Sequence, residues 1–151
     1  LGALDAWLVI RGIKTLPLRM EQHQKNAFAI AKWLQKQPCV QYVLYPGLEN
    51  HPGYEINKAQ TTGFGGMISF AVDNAETARQ ILEGVKLIKF AESLGGTESL
   101  ITYPIRQTHT DLTAEECAEK GITDCLLRFS TGIEATQDLI DDLAQAFAAV
   151  K

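Results

Sequence analysis

The sequence GFGGMISFAV occupies residues 63–72 and contains a strand signal preceded by glycines. Met67–Val72 is a short apolar run bounded by Gly66 and Asp73, which predicts a buried strand. A phosphate-binding glycine loop follows a strand and opens a helix, whereas here a strand follows the glycines. The glycines therefore indicate close backbone packing at the entrance of a strand.

Strand and helix patterns alternate on both sides of this run. Asp73 with Glu76 and Thr113 with Glu116 resemble capping boxes, which open helices, while segment 46–62 is polar and predicts irregular structure. The predicted strands cover residues 40–45, 67–72, 87–91, 99–103 and 125–130. The predicted helices cover residues 1–16 and 18–37, the segments after Asp73 and Thr113, and a last stretch that ends near Val150.

This order of elements predicts an α+β fold, because the links between strands are too short for an all-parallel sheet. We expect a mainly antiparallel sheet of four to five strands with helices on one face. The length of 151 residues is that of one ordinary domain. Within it, residues 1–36 are expected to form leading helices and residues 37–151 the α+β sheet domain.

Composition and charge argue against several classes of function. Hydrophobic residues make up 46% and charged residues 21% of the chain, which are ordinary globular values. A net charge of −4 without a basic run argues against nucleic-acid and membrane-surface binding, and no apolar stretch is long enough to span a bilayer. No secretory signal is visible, and the three cysteines lack CxxC spacing, so we expect reduced thiols in a cytoplasmic protein.

The three histidines, His23, His51 and His109, do not have the spacing of metal ligands, so no metal site is predicted. His23 is expected to be solvated on its helix. His109 follows Thr108 in a polar stretch, where it is either a loop residue or part of a site wall.

Arg128 lies inside an apolar predicted strand with the sequence CLLRFS, residues 125–130. Strand alternation puts Arg128 and Ser130 on one face and Leu127 and Phe129 on the other. Burying an unpaired charge is costly, so the guanidinium needs a partner. Two partners remain open: a distant Asp or Glu in a salt bridge, or the carboxylate or phosphate of a ligand.

A glycine-rich turn, Ser93-Leu-Gly-Gly96, is predicted between two strands. A serine flanked by glycines can offer a hydroxyl and backbone N–H groups to an anion. A tight turn without a ligand explains the same residues.

Several motifs, taken together and in order, resemble one known family. They are AESLGGTESLITYP at residues 91–104, QTH at 107–109 and LLRFSTGIE at 126–134, with RGIKTL at 11–16, YPGL at 45–48 and the glycine-rich run at 63–70. They resemble the C-terminal domain of the trans-sulfuration enzymes, which are pyridoxal-phosphate (PLP) enzymes of cysteine and methionine metabolism. Members include cystathionine γ-synthase, cystathionine β- and γ-lyase, methionine γ-lyase and O-acetylhomoserine sulfhydrylase.

The resemblance implies substrate-binding roles for four residues. Arg128 matches the arginine that pairs with the substrate α-carboxylate, and Ser93 matches a serine that helps to hold the same group. Thr108 matches a threonine near the lysine that carries the cofactor. Glu92 matches a position that contacts the distal part of the substrate, and a glutamate there resembles the γ-synthase and γ-lyase branches.

The resemblance also implies that part of the enzyme lies outside the chain. The lysine that carries PLP and the residues that hold its phosphate and pyridine nitrogen belong to the family's N-terminal domain, and Lys14 lies in a different motif. We therefore expect no catalytic and no cofactor-binding residue in this chain, and no activity from it alone. Because Leu1 lies inside an apolar helix pattern, we expect a piece of a longer enzyme, which the resemblance implies is a homotetramer.

The expected function is that of the substrate-binding domain of a fold-type I PLP enzyme of the γ-synthase or γ-lyase type. It would act on cystathionine or an activated homoserine by γ- or β-elimination or replacement. Cystathionine β-lyase and O-acetylhomoserine sulfhydrylase are the alternatives within the family. From another class, a stand-alone amino-acid-binding regulatory module also fits a compact α+β sheet with a carboxylate-binding arginine.

Overall fold

A computed structural model describes residues 1–150, which form six α-helices and one five-stranded sheet. The helices are α1 (Ala3–Ile13), α2 (Leu16–Leu34), α3 (Tyr54–Gln60), α4 (Ala75–Gly84), α5 (Ala114–Glu119) and α6 (Thr136–Ala148). The strands are β1 (Val40–Leu44), β2 (Met67–Val72), β3 (Lys89–Phe90), β4 (Leu100–Thr102) and β5 (Leu126–Ser130), and a 3-10 turn, Pro104–Arg106, follows β4. Among these helices, none combines the length and the apolar character that a membrane span requires.

The sheet is mixed and has the strand order β1-β2-β5-β4-β3. Antiparallel pairing joins β1 to β2, β2 to β5 and β5 to β4, which confirms the predicted α+β fold with a mainly antiparallel sheet. The pair β3–β4 is parallel, because loop 91–99 runs back along the sheet before β4 begins. A link this short usually joins antiparallel strands. The prediction of antiparallel pairing from short links is therefore wrong for β3 and β4.

Three local expectations need correction. The side chain that caps α4 is Asn74 rather than Asp73, since Asn74 Oδ1 accepts a hydrogen bond from Thr77 N at 2.8 Å. Segment 46–62 contains the helix α3 in addition to irregular structure. His23 is buried rather than solvated, because its ring lies against the chain that leaves β5.

The core lies on one face of the sheet, which α2, α4 and α6 cover. Leu127 and Phe129 of β5 point into it, as strand alternation predicts. Fully burying one such side chain contributes roughly 1.5–3 kcal/mol. The other large, fully buried side chains of this core are Ile30, Leu34, Tyr45, Ile68, Phe70, Ile81, Ile88, Ile101, Leu139 and Leu143. The opposite face of the sheet, which we call the open face, carries Arg128.

The first helix differs from the others, because α1 contains no buried residue although its sequence is largely apolar. The exposed fraction is 50% or more for each of its large apolar side chains, Leu4, Trp7, Leu8, Val9, Ile10 and Ile13. By contrast, α2 is buried against the sheet domain from His23 to Leu34. The first part of the chain therefore presents a large apolar surface outside the core.

Candidate substrate-binding site

Arg128 lies on the open face of β5, the middle strand of the sheet. It is opposite Ser69 of β2 on one side and Thr102 of β4 on the other. The residue is partly buried, and its Nη2 donates a long hydrogen bond of 3.5 Å to Thr102 Oγ1. All ion pairs within residues 1–150 belong to Arg79, so none involves Arg128. The described residues therefore give no support to a salt bridge with a distant carboxylate.

Thr102 connects this arginine to the end of β3. Its side chain is buried, and its hydroxyl donates to the carbonyl oxygen of Ala91 at 2.9 Å. The hydroxyl oxygen can therefore still accept the N–H of Arg128. Neighbouring strands lie roughly 4.8 Å apart, so Ala91 is about 10 Å from Arg128 across the sheet. The residues that follow Ala91 are Glu92 and Ser93, which the sequence predicts to bind substrate.

Glu92 and Ser93 are exposed and lie near the start of loop 91–99, between β3 and β4. Within residues 1–150, neither side chain makes a hydrogen bond, so both can reach a ligand or another part of the protein. Gly95 has a φ of 72°, a left-handed conformation that glycine adopts without steric cost, so a glycine is favoured in this turn.

Thr108 lies apart from this row of residues. It follows the 3-10 turn after β4, and its hydroxyl contacts His109 Nδ1 at 2.7 Å and Pro104 O at 3.5 Å. No hydrogen bond within residues 1–150 joins Thr108 to Arg128 or to loop 91–99. Its role near the cofactor stays a prediction.

Cys39 and Cys125 lack the lowered thiol pKa of an activated nucleophile. Burial raises the pKa of the Cys39 thiol, and the charge of Asp73 adds to the effect. Burial also raises the pKa of the Cys125 thiol, as do its hydrogen bond to Asp124 and the nearby acidic charges. These thiols are therefore protonated at neutral pH. No group of three or more metal-ligating side chains occurs in residues 1–150.

Sequence reasoning missed three polar residues that contact Arg128 or loop 91–99, namely Thr102, Ser130 and Glu134. Strand alternation does put Ser130 on the face of Arg128, and its Oγ accepts the backbone N–H of Gly95 at 3.0 Å. The contact of Thr102 depends on the pairing of β4 with β5, which a single sequence does not reveal. Glu134 is the last residue of the LLRFSTGIE motif, and its place in this motif is the sequence feature that could have singled it out.

The fold and the open face define a class of protein: an α+β domain with a partly buried arginine, beside a threonine hydroxyl, on the open face of its sheet. A family model described as Cys/Met metabolism PLP-dependent enzyme matches residues 1–148. The chain therefore belongs to this family, as the motifs indicated.

Individual relatives agree with this assignment. Cystathionine γ-lyase of Bacillus subtilis (strain 168) is 51% identical over 146 residues, which cover 97% of this chain and 38% of that protein. Cystathionine γ-synthase of Haemophilus influenzae is 51% identical over 151 residues, which cover 100% of this chain and 37% of that protein. The crystal structure of cystathionine γ-lyase from Lactobacillus plantarum complexed with L-serine matches with a TM-score of 0.94 and 41% identity, covering 99% of this chain and 39% of that one. The chain thus spans less than two fifths of the length of these relatives.

Proposed function

We propose that this chain is the C-terminal substrate-binding domain of a PLP-dependent enzyme of the γ-synthase or γ-lyase type. The whole enzyme acts on cystathionine or an activated homoserine by γ- or β-elimination or replacement. Arg128 carries this proposal, because it is a partly buried guanidinium without a carboxylate partner among residues 1–150. A guanidinium has five N–H donors and binds a carboxylate with two of them. The proposed role of Arg128 is to bind the substrate α-carboxylate, with Ser93 adding a hydrogen bond.

Glu92 supports cystathionine as the substrate. The end of β3, which precedes Glu92, is about 10 Å from Arg128 across the sheet. The site therefore offers a cation for a carboxylate at one end and an anion for an ammonium group at the other. Cystathionine carries an α-carboxylate and, at its far end, a second amino group. We propose that Glu92 contacts this distal ammonium and thereby selects among substrates.

PLP, when bound, supplies the electron sink for reactions at the α-carbon of an amino acid. Ser69 and Thr102, the residues directly opposite Arg128, are not amines, so neither can carry PLP. We propose that the lysine that carries PLP belongs to an N-terminal domain beyond this chain, and that Thr108 lies close to it. The residues of this chain then orient the substrate, so that the bond to be broken is correctly placed.

The exposed surface of α1 supports the proposed domain organisation. Leu4, Trp7 and Leu8 lie on one side of α1, and Val9 and Ile13 lie on the opposite side, at about 3.6 residues per turn. A helix that is apolar all round is typically buried. We propose that residues 1–36 are leading helices that join an N-terminal domain to the sheet domain of residues 37–151, of which Lys151 lies outside the described residues. In this proposal α1 packs on the N-terminal domain, whereas α2 packs on the sheet domain from His23 to Leu34.

Two further properties are proposed for the whole enzyme. We propose that it is a homotetramer, which rests on the family resemblance. We also propose that it is cytoplasmic, and the free state of Cys39, Cys117 and Cys125 supports a reducing compartment.

The products of the PLP-loaded full-length enzyme test the proposed reaction. With water, γ-elimination of cystathionine yields cysteine, 2-oxobutyrate and ammonia, whereas β-elimination yields homocysteine, pyruvate and ammonia. An activated homoserine with cysteine forms cystathionine if the enzyme is a γ-synthase, and an activated homoserine with sulfide forms homocysteine if it is a sulfhydrylase. We expect either γ-elimination of cystathionine or formation of cystathionine from an activated homoserine and cysteine to dominate. Absence of turnover with all of these substrates would contradict the proposal.

A further inference from the structure

Loop 91–99, which carries Glu92 and Ser93, is tied to the segment that leaves β5, residues 131–135. We propose that Glu134 is a positioning residue that holds this loop in the geometry needed for substrate binding. The proposal rests on the proposed function, because it assigns Glu134 a role in the same site. It does not require Glu134 to touch the substrate.

The carboxylate of Glu134 binds Ser99 at two points. Its Oε1 accepts the backbone N–H of Ser99 at 2.6 Å, and its Oε2 accepts the Ser99 hydroxyl at 2.8 Å. Ser99 is completely buried, and its Oγ also accepts the backbone N–H of Gly132 at 2.8 Å. Hydrogen bonds to an ionised acceptor are roughly twice as strong as neutral ones. The end of the loop is therefore fixed to the segment after β5.

Two further contacts fix the same loop nearer to Ser93. Ile133 N donates to Thr97 O at 2.9 Å, and Gly95 N donates to Ser130 Oγ at 3.0 Å. Gly132 lies beneath the loop, where an added Cβ would clash with Thr97 O and with the Glu134 carboxylate. The close approach of the two segments thus requires a glycine at position 132.

Glu134 is itself held by the core of the domain. Its backbone oxygen accepts a hydrogen bond of 3.0 Å from Asn26 Nδ2, which also donates to Gly132 O at 3.0 Å. Asn26 is completely buried on α2, and its Oδ1 accepts the Thr136 hydroxyl at 2.6 Å. A rigid connection therefore runs from α2 through Glu134 to the loop. Side chains supported in this way hold a binding geometry more closely than exposed loops do.

The test compares variants of the PLP-loaded full-length enzyme with cystathionine as substrate. We expect Glu134→Ala to raise KM about tenfold, the effect of losing one strong hydrogen bond, with an unchanged cofactor absorbance spectrum. Glu134→Gln should recover part of this loss, because its amide oxygen still accepts the Ser99 N–H. Ser99→Ala should raise KM severalfold, and it replaces Glu134→Ala as the test variant if Glu134→Ala does not give a folded enzyme. The matched control is Glu119→Ala, which removes an exposed carboxylate from α5 and should leave KM unchanged.

A double-mutant cycle separates positioning from a general structural role. If Glu134 acts through the loop residues, Glu134→Ala adds little to KM once Glu92 and Ser93 are both alanine. An equal effect in both backgrounds, or a loss confined to kcat, would overturn the proposal. KM values within twofold of the parent for Glu134→Gln and Ser99→Ala would also overturn it. If Arg128→Ala raises KM in that case, the proposed function stands without this inference, whereas if Arg128→Ala also leaves KM unchanged, both fail.

Discussion

Replacement of Arg128 by alanine gives the sharpest test of the substrate-binding face. Within residues 1–150, the one hydrogen bond of its guanidinium is the long contact with Thr102, so donors remain for a carboxylate. Removing one partner of a buried, hydrogen-bonded charge pair costs roughly 2–5 kcal/mol. Because Arg128 is only partly buried, we expect the lower part of this range, about 2–3 kcal/mol. This corresponds to a loss of roughly 30- to 150-fold in kcat/KM.

The assay is steady-state turnover of cystathionine by the PLP-loaded full-length enzyme, together with the absorbance spectrum of the cofactor. The spectrum should be unchanged, because Arg128 is proposed to bind substrate and not PLP. Arg128→Lys should recover only part of the loss, since an ammonium group keeps the charge but lacks the planar pair of donors. Arg79→Ala is the control, because it removes the same charge from the exposed side of α4. A kcat/KM within twofold of the parent for Arg128→Ala would refute the carboxylate-binding role.

Three further predictions address the cofactor, the substrate and the fold. The chain alone should bind no PLP, as measured by cofactor absorbance and by mass spectrometry after borohydride reduction; a stoichiometric adduct at one lysine would contradict this. Glu92→Ala should lower activity on cystathionine more than on a substrate without a distal amino group; equal losses would contradict its role. Asp142 is buried and accepts backbone N–H groups of Lys86, Leu87 and Ile88. Asp142→Asn should therefore lower the free energy of unfolding by about 2 kcal/mol. This should give a lower Tm than the control Asp141→Asn, which changes an exposed carboxylate, and equal Tm values would contradict a stabilising role of Asp142.

The sequence predicts most of the fold because its signals are local. Alternation in residues 125–130 identifies both faces of β5, and the apolar spacing of residues such as Ala27, Ile30 and Leu34 identifies the buried side of α2. The parallel pairing of β3 with β4 could not be predicted in this way. Strand β3 has only two residues, and its direction depends on how loop 91–99 is tied to a distant segment.

The site was predictable only in part. The charge of Arg128 inside an apolar strand requires a partner, and that much follows from one segment. Thr102 contacts Arg128, which is 26 positions away in the sequence, and Glu134 contacts Ser99, which is 35 positions away. Burial of His23 has the same origin, because it follows from contacts with Thr131, 108 positions away. Such contacts are set by the tertiary structure and leave no periodic pattern in a single sequence.

The arrangement of the site separates a fixed part from a variable part. Arg128 lies on the central strand, where β2 and β4 hold its backbone from both sides. Under the proposed function, it binds the α-carboxylate, the group that every amino-acid substrate shares. Glu92, which is proposed to contact the distal end of the substrate, is exposed in loop 91–99, where its substitution leaves the hydrophobic core intact. A substrate preference located in the loop can therefore change while the strand and its arginine stay the same.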